Sequence, residues 1–163
     1  MSIAEAMQEM EAIKKKFQAN YGIILDAPPP SFKELHGEFV EAEGGRRVKV
    51  RFPFDARFTN PIGNFQGGVL CAAIDNAFGP LSYLALKRPS VTLDLSTHFI
   101  RSFSAKDVYI EVEAKVVSIS TATLVMRAEV RNAKNKLIAT ATTTFLILQD
   151  DMLARIPAGQ NPE

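Results

Sequence analysis

Twenty residues from Gly67 to Leu86 carry a single charged side chain, Asp75, within an otherwise nearly continuous apolar run. A helix that is apolar almost all the way round has no solvent stripe, so other elements must enclose it. Pro80 falls inside the segment, and its missing N–H predicts a kink or a restart of the helix there. The enclosure is supplied downstream by alternation of period two. Val91, Leu93, Leu95, Thr97 and Phe99 share one face of a predicted strand; Val108, Ile110, Val112, Ala114 and Val116 share one face of a second, and Leu124, Met126, Ala128 and Val130 of a third. A polar turn at 132–136 leads into the β-branched run 137–148, a fourth strand.

Upstream, Glu38–Glu43 and Arg47–Phe54 flank Gly44-Gly45, a dipeptide suited to the positive φ angles of a hairpin turn. Val48, Val50, Phe52 and Phe54 fall on one face of the second run, with Arg47, Lys49 and Arg51 on the other. Ile3, Met7, Met10, Ile13 and Phe17 recur at helical spacing, and Gly22 is a plausible stop. Asp26-Ala-Pro-Pro-Pro30 reads as a stiff connector, after which the folded core is expected to begin. The order helix, two strands, buried helix, four strands predicts an α+β fold: an antiparallel sheet wrapped around a long central helix, with an extra N-terminal helix. The expected divisions are 1–30 for the N-terminal helix and connector, 31–150 for the main domain and 151–163 for a C-terminal tail, polar and frayed from 156 onward.

Composition narrows the chemistry. A chain of 163 residues normally buries a full core without metal or disulfide. Cys71 is the single cysteine, and His36 and His98 lie far apart, so no cluster at metal-ligand spacing exists and no metal or cofactor is expected. A formal charge of +1 supplies no field for nucleic acid or an anionic membrane. The N-terminus lacks the apolar core of a signal peptide, and no later segment is expected to reach membrane-spanning length. A soluble, cytoplasmic protein with a small-molecule partner is the expectation.

Asp75 needs a reason to be where it is, because an unpartnered carboxylate taken out of water costs several kcal/mol. One reading makes it the cap of a helix restarting near Pro80, or places it on an exposed edge. Another begins from Gly67-Gly68 at the start of the helix, where free amides carry partial positive charge and glycines admit a close approach. Asp75 lies eight residues after Gly67, about 12 Å along the axis, too far for both to hold one substrate atom. A two-fold axis can bring Asp75 of one subunit opposite the helix start of another. The glycine amides would then form an oxyanion hole, and Asp75 would act as nucleophile or as base toward water.

The stretch Asn60-Pro-Ile-Gly-Asn-Phe-Gln-Gly-Gly, followed by Asp75-Asn-Ala-Phe, resembles the signature of the hotdog-fold acyl-CoA thioesterases of the phenylacetate-degradation (PaaI-like) type. In that family an Asn, a Gly, a His-Gly-Gly and an Asp occur at these offsets. The resemblance implies that Asp75 is the nucleophile or general base and that the Gly67 amide polarises the thioester carbonyl. It also implies that Asn60 helps to hold the water or thioester, and that Thr92 orients water near the carboxylate. Gln66 and Gly68 complete the substrate-binding turn. Such enzymes use no metal and are commonly homodimers or dimers of dimers, with acyl-CoA at the subunit boundary.

Gln66 stands where the family usually has His, and an amide cannot change charge near neutral pH. That departure keeps open an attenuated or non-catalytic acyl-CoA or lipid-binding protein. A dehydratase or hydratase ranks lower, since neither histidine lies in the motif. Phe52, Phe54, Phe58, Phe65 and Phe78 are core candidates, of which Phe65 and Phe78 are also candidate walls of an acyl pocket. Lys87, Arg88, Arg101 and Lys106 are candidates for CoA phosphates, although scattered basic residues are usually solvated surface. Asn64 and Asn76 read as loop or helix hydrogen-bonders, His98 as a surface group and Cys71 as a packing thiol.

Overall fold

Six antiparallel strands lie side by side around one helix in the computed structural model, which describes residues 1–155. In chain order the elements are α1 (Ile3–Tyr21), α2 (Pro30–Glu34), β1 (Glu38–Glu43), β2 (Arg47–Pro53), α3 (Gly67–Leu86), β3 (Ser90–Phe99), β4 (Tyr109–Ile119), β5 (Thr123–Asn132), β6 (Leu137–Ile147) and α4 (Asp150–Leu153). The strand order β1-β2-β4-β5-β6-β3 leaves β1 and β3 as the edges. This is the expected hotdog arrangement. The polar tail expected at 156–163 lies outside the described residues.

The alternation read from β2, β4 and β5 is the alternation of burial. Val48, Val50 and Phe52, then Ile110, Val112 and Ala114, then Leu124, Met126, Ala128 and Val130 face inward. They pack on Ala73, Ile74, Ala77, Phe78 and Leu81 of α3 in one core. Val108 is an exception: it precedes β4, with φ of 65° and its side chain exposed. On the outer face, Arg47 pairs with Glu41 at 2.7 Å and Glu113 at 2.9 Å, Lys49 with Glu41 at 2.6 Å, and Arg51 with Glu111 at 2.7 Å. The basic row foreseen on β2 is thus neutralised by acids on either side.

The helix at the centre differs from expectation in two ways. It runs unbroken from Gly67 to Leu86 through Pro80, so it does not restart there and Asp75 is not a cap. By length and composition it is also long and apolar enough to cross a bilayer, contrary to the expectation that no segment would be. In the structure its buried side chains fill the concave face of the sheet.

The core also begins earlier than the connector. Ala6, Met10, Ile13 and Phe17 of α1 are buried, and Phe17 meets Tyr83 of α3 edge-on at 5.8 Å between ring centroids. Ser2 and Glu5 close a capping box at the start of α1, and Gly22 in the left-handed region ends it. Lys87, just past α3, pairs with Glu9 of α1. The proline run is not wholly extended either: Pro30 opens α2, where an absent N–H costs nothing, and Phe32 and Leu35 join the core.

The Gly44-Gly45 turn has φ of 46° and 69°, as a tight hairpin requires. A Cβ on Gly45 would stand 2.6 Å from the Leu84 carbonyl oxygen, so the hairpin turn fits against the end of α3 only as glycine.

Candidate active site

One irregularity in β3 shapes the site. Thr92 pairs with Phe145 of β6 and Asp94 with Thr144, which leaves Leu93 as an extra residue, a β-bulge. Strict alternation would put Thr92 on the face opposite Leu95 and Thr97. The bulge instead places Thr92, Leu95, Thr97 and Phe99 on the side of their register partners Phe145, Thr143, Ala141 and Ala139, which are buried. The buried Thr143 hydroxyl donates to the Asp94 carbonyl at 2.6 Å and braces the irregular backbone. Asp94, Ser96 and His98 then share the outer face, all exposed.

Facing this strand, α3 presents Gly67, Cys71 and Asp75, spaced at four residues and so stacked on one side of the helix. The two elements run in opposite directions and meet at three levels. A Cβ on Gly67 would lie 3.2 Å from the Phe99 ring, Cys71 Sγ lies 3.6 Å from Thr97 Oγ1, and Thr92 Oγ1 donates to Asp75 Oδ1 at 3.3 Å. Asp75 is half-buried in the middle of the helix, with no cation paired to it among the described residues. Burial pushes its carboxyl above the ordinary value, opposed by the Thr92 hydrogen bond. The neighbouring Tyr83 phenol is raised too, by burial and then by the Asp75 charge.

The helix start is built by the loop before it. Asn60 Oδ1 accepts from the amides of Ile62 and Asn64, each at 3.1 Å, and the Gly63 amide donates to the Asn60 carbonyl at φ of 80°. In this chain the Asn60 oxygen therefore organises the loop. Gln66 occupies the N-cap position: its amide donates to the Phe58 carbonyl at 2.9 Å, while its exposed side chain makes no bond to the helix. The first intrahelical bond is Leu70 N–H to the Gln66 carbonyl, so the Gly67, Gly68 and Val69 amides precede the ladder. Gly68 is exposed, with open space in front of it.

A cleft of about 310 Å3 opens at this helix start, lined by Asn60, Phe65, Gly67, Leu70, Phe99 and Arg101 among others. Phe65 stands in its wall, whereas Phe78 is fully buried against the sheet and does not line it. Asp75 is not part of the cleft either. Within one chain the carboxylate and the glycine amides remain two turns apart, as the spacing predicts.

Of the basic candidates, Lys87 is paired with Glu9, and Arg88 with Asp150 at 2.6 Å. Arg101 is at the cleft and donates to the Leu137 carbonyl at 2.8 Å. Phe99 is a site residue that the sequence reading missed, because it read only as one more member of an alternating strand. Asn76 is buried and its Oδ1 accepts from Ser31 of α2. No group of three or more His, Cys, Asp or Glu side chains gathers at metal distance among the described residues.

Comparison with known proteins agrees with this architecture. A sequence model of the thioesterase superfamily matches residues 63–139, from the loop before α3 into β6. A Saccharolobus solfataricus protein whose name assigns it provisionally as an esterase is 29% identical over 126 residues, 76% of this chain and 87% of the relative. Among solved structures, conserved protein PA5202 from Pseudomonas aeruginosa is 29% identical with a TM-score of 0.67, over 74% of this chain and 94% of that one. The phenylacetic acid degradation protein PaaI from Thermus thermophilus is 26% identical with a TM-score of 0.66, over 74% of this chain and all of its own.

Proposed function

Because the chain is a hotdog-fold protein related to the PaaI-type thioesterases, we propose that it hydrolyses acyl-CoA thioesters to a free acid and coenzyme A at a site shared by two subunits. The observation that carries this reading is Asp75: a half-buried carboxylate in mid-helix, raised by burial, with a hydroxyl as its partner and no cation paired to it among the described residues. A carboxylate raised by desolvation in a candidate site fits the role of a catalytic base.

The two-subunit site follows from the separation of Asp75 and the Gly67 amide within one chain. β3 is an edge strand, and Val91, Leu93 and Phe99 along it, with Ile100 just beyond, are exposed apolar side chains. Pairing of this edge with a second copy covers them and completes a homodimer, from which a dimer of dimers can be assembled. The thioester carbonyl oxygen would accept from the Gly67 amide of one subunit, polarised by the start of α3. Asp75 of the other subunit takes a proton from water, held also by Thr92. The water oxygen attacks the carbonyl carbon, the tetrahedral oxyanion collapses, and the CoA sulfur leaves with the proton returned by Asp75. A raised carboxyl is both a stronger base and a stronger nucleophile, so direct attack by Asp75 is the alternative route. Single turnover in 18O-labelled water bears on the choice. Direct attack expels the CoA thiolate to form an aspartyl–acyl anhydride, and water adding at its aspartyl carbonyl puts one label into the Asp75 carboxylate, which the general-base route never does.

Asp75→Asn should reduce thiol release from a panel of short, long and aryl acyl-CoAs by about 10^3-fold, with the fold retained. Unchanged release would remove Asp75 from the mechanism. A second reading, binding of acyl-CoA without efficient turnover, is favoured by Gln66, whose exposed side chain makes no bond to the helix. Thermal stabilisation by CoA esters with no thiol released would select it.

A further inference from the structure

We propose that the acyl group of the substrate lies along α3 past Asp75 and stops against Tyr83, which α1 holds in place, so that the protein takes short acyl groups and refuses long chains. The inference rests on the hydrolase reading above and names its substrate class.

The floor of this trough is bare backbone. Between Asp75 and Tyr83 every residue of α3 is buried except Gly79, and a Cβ on Gly79 would meet nothing within 4 Å. β3 bounds one side. Thr92 reaches Asp75, and further along the helix the Ser90 hydroxyl donates to Ser82 Oγ at 3.1 Å, while Ser82 donates to the Gly79 carbonyl at 2.7 Å. α2 bounds the other side, where Ser31 donates to Asn76 Oδ1 at 3.0 Å. Both walls are thus tied by hydrogen bonds to the helix they flank.

Tyr83 is the first bulky side chain on the open side of α3 after Asp75. It lies eight residues on, about 12 Å along the axis, but helical side chains lean toward the N-terminus and the long ring reclaims much of that distance. About one turn, roughly 5 Å, remains above Gly79. That holds a chain of a few carbons. The ring cannot withdraw to admit more. Phe17 of α1 meets it edge-on at 5.8 Å between centroids, is itself fully buried, and is backed by Tyr21 at 6.2 Å. A close-packed interior leaves no void into which the ring could swing. The Tyr83 phenol also feels the Asp75 charge, as a ring tip turned toward the trough does. Phe17 lies outside residues 63–139, so the support for this stop comes from a helix that the superfamily model does not include.

The two arms of a thioester need different surroundings. Toward the start of α3, Ala72 and Gly68 are exposed and the space in front of Gly68 is open, which suits the charged, hydrated CoA arm. The apolar acyl arm gains by burial at the half-buried Tyr83 end.

The test compares kcat/KM for thiol release from butanoyl-, hexanoyl-, octanoyl- and dodecanoyl-CoA. In the parent the value should fall about tenfold or more from hexanoyl- to dodecanoyl-CoA. Tyr83→Ala should raise the ratio of dodecanoyl to butanoyl about tenfold, and Tyr83→Phe, which keeps the ring, should leave the ratio where it was. Should Tyr83→Ala melt below the assay temperature, Tyr83→Leu takes its place with the same expectation. Phe17→Leu should shift the ratio in the same direction and add nothing to Tyr83→Ala, because it acts only through the ring. A parent that cleaves dodecanoyl-CoA as readily as butanoyl-CoA, or a ratio unmoved by loss of the ring, overturns the acyl stop and leaves the hydrolase reading intact. If no ester releases thiol, thermal stabilisation by the same esters decides. Short esters stabilising the parent more than long ones, with the difference lost in Tyr83→Ala, would leave the stop standing and sink the hydrolase reading alone. Stabilisation that ignores chain length would sink both.

Discussion

The Thr92 hydroxyl reaches the Asp75 carboxylate, at 3.3 Å, only because Leu93 is bulged out of the strand between β3 and its neighbour. This hydrogen bond favours the ionised acid and opposes the effect of burial. Thr92→Val should therefore raise the Asp75 carboxyl further. The acid limb of the pH–rate profile should move upward, and turnover at neutral pH should drop about tenfold. An unmoved limb would separate Thr92 from the titrating group.

Asp75→Asn should have opposite effects on activity and stability. Folding raises this carboxyl above its unfolded value, so the native state binds more protons in the window between the two. Native stability contributed by this group is then fully present below the unfolded value and falls as pH rises through the folded one. The amide removes that loss. Thermal melts should show the variant more stable than the parent at pH 7 and equal to it near pH 3.

Gly67→Ala separates the amide from the fold. A Cβ there meets the Phe99 ring at 3.2 Å, the far end of a movable side chain, and the backbone is not in the left-handed region. The melting temperature should hold, while kcat/KM falls about tenfold as the ring is pushed over the cleft.

Gln66→His restores a group that titrates near neutrality at the N-cap of α3. Hydrolysis should increase, and a new limb near pH 6 to 7 should enter the profile. A flat response would show that the position is free to vary.

Phe65 and Phe78 should behave differently although the sequence grouped them. Phe78 is fully buried against the sheet, so Phe78→Ala should cost about 3–5 kcal/mol in denaturant unfolding. Phe65 stands in the cleft wall, and Phe65→Ala should change acyl preference across the CoA panel as well as stability.

Much of this architecture was legible because its elements obey one period each. The encircled helix, the six strands and the Gly44-Gly45 turn all follow from local pattern. What was not legible breaks a period or depends on distant partners. The bulge at Leu93 reverses the face of Thr92, and no composition rule marks it; its brace, Thr143, lies fifty residues downstream. The helix α2 hides behind a proline run that reads as extended until Pro30 is seen to open it. Resemblance implies that Asn60 holds the water or thioester; that its oxygen also accepts from two loop amides is a local arrangement no period marks. Phe78 could not be told from Phe65 by type, because the side of a helix with no solvent stripe is fixed only by what surrounds it.

The superfamily match begins at residue 63, yet α3 leans on Phe17 of α1 and on the β1–β2 hairpin, all of which precede it. Trimming the chain to the matched portion would strip the central rod of its cladding and leave an oily flank in water. The smallest piece worth expressing alone therefore includes the first nineteen-residue helix, and affinity tags belong at the other terminus.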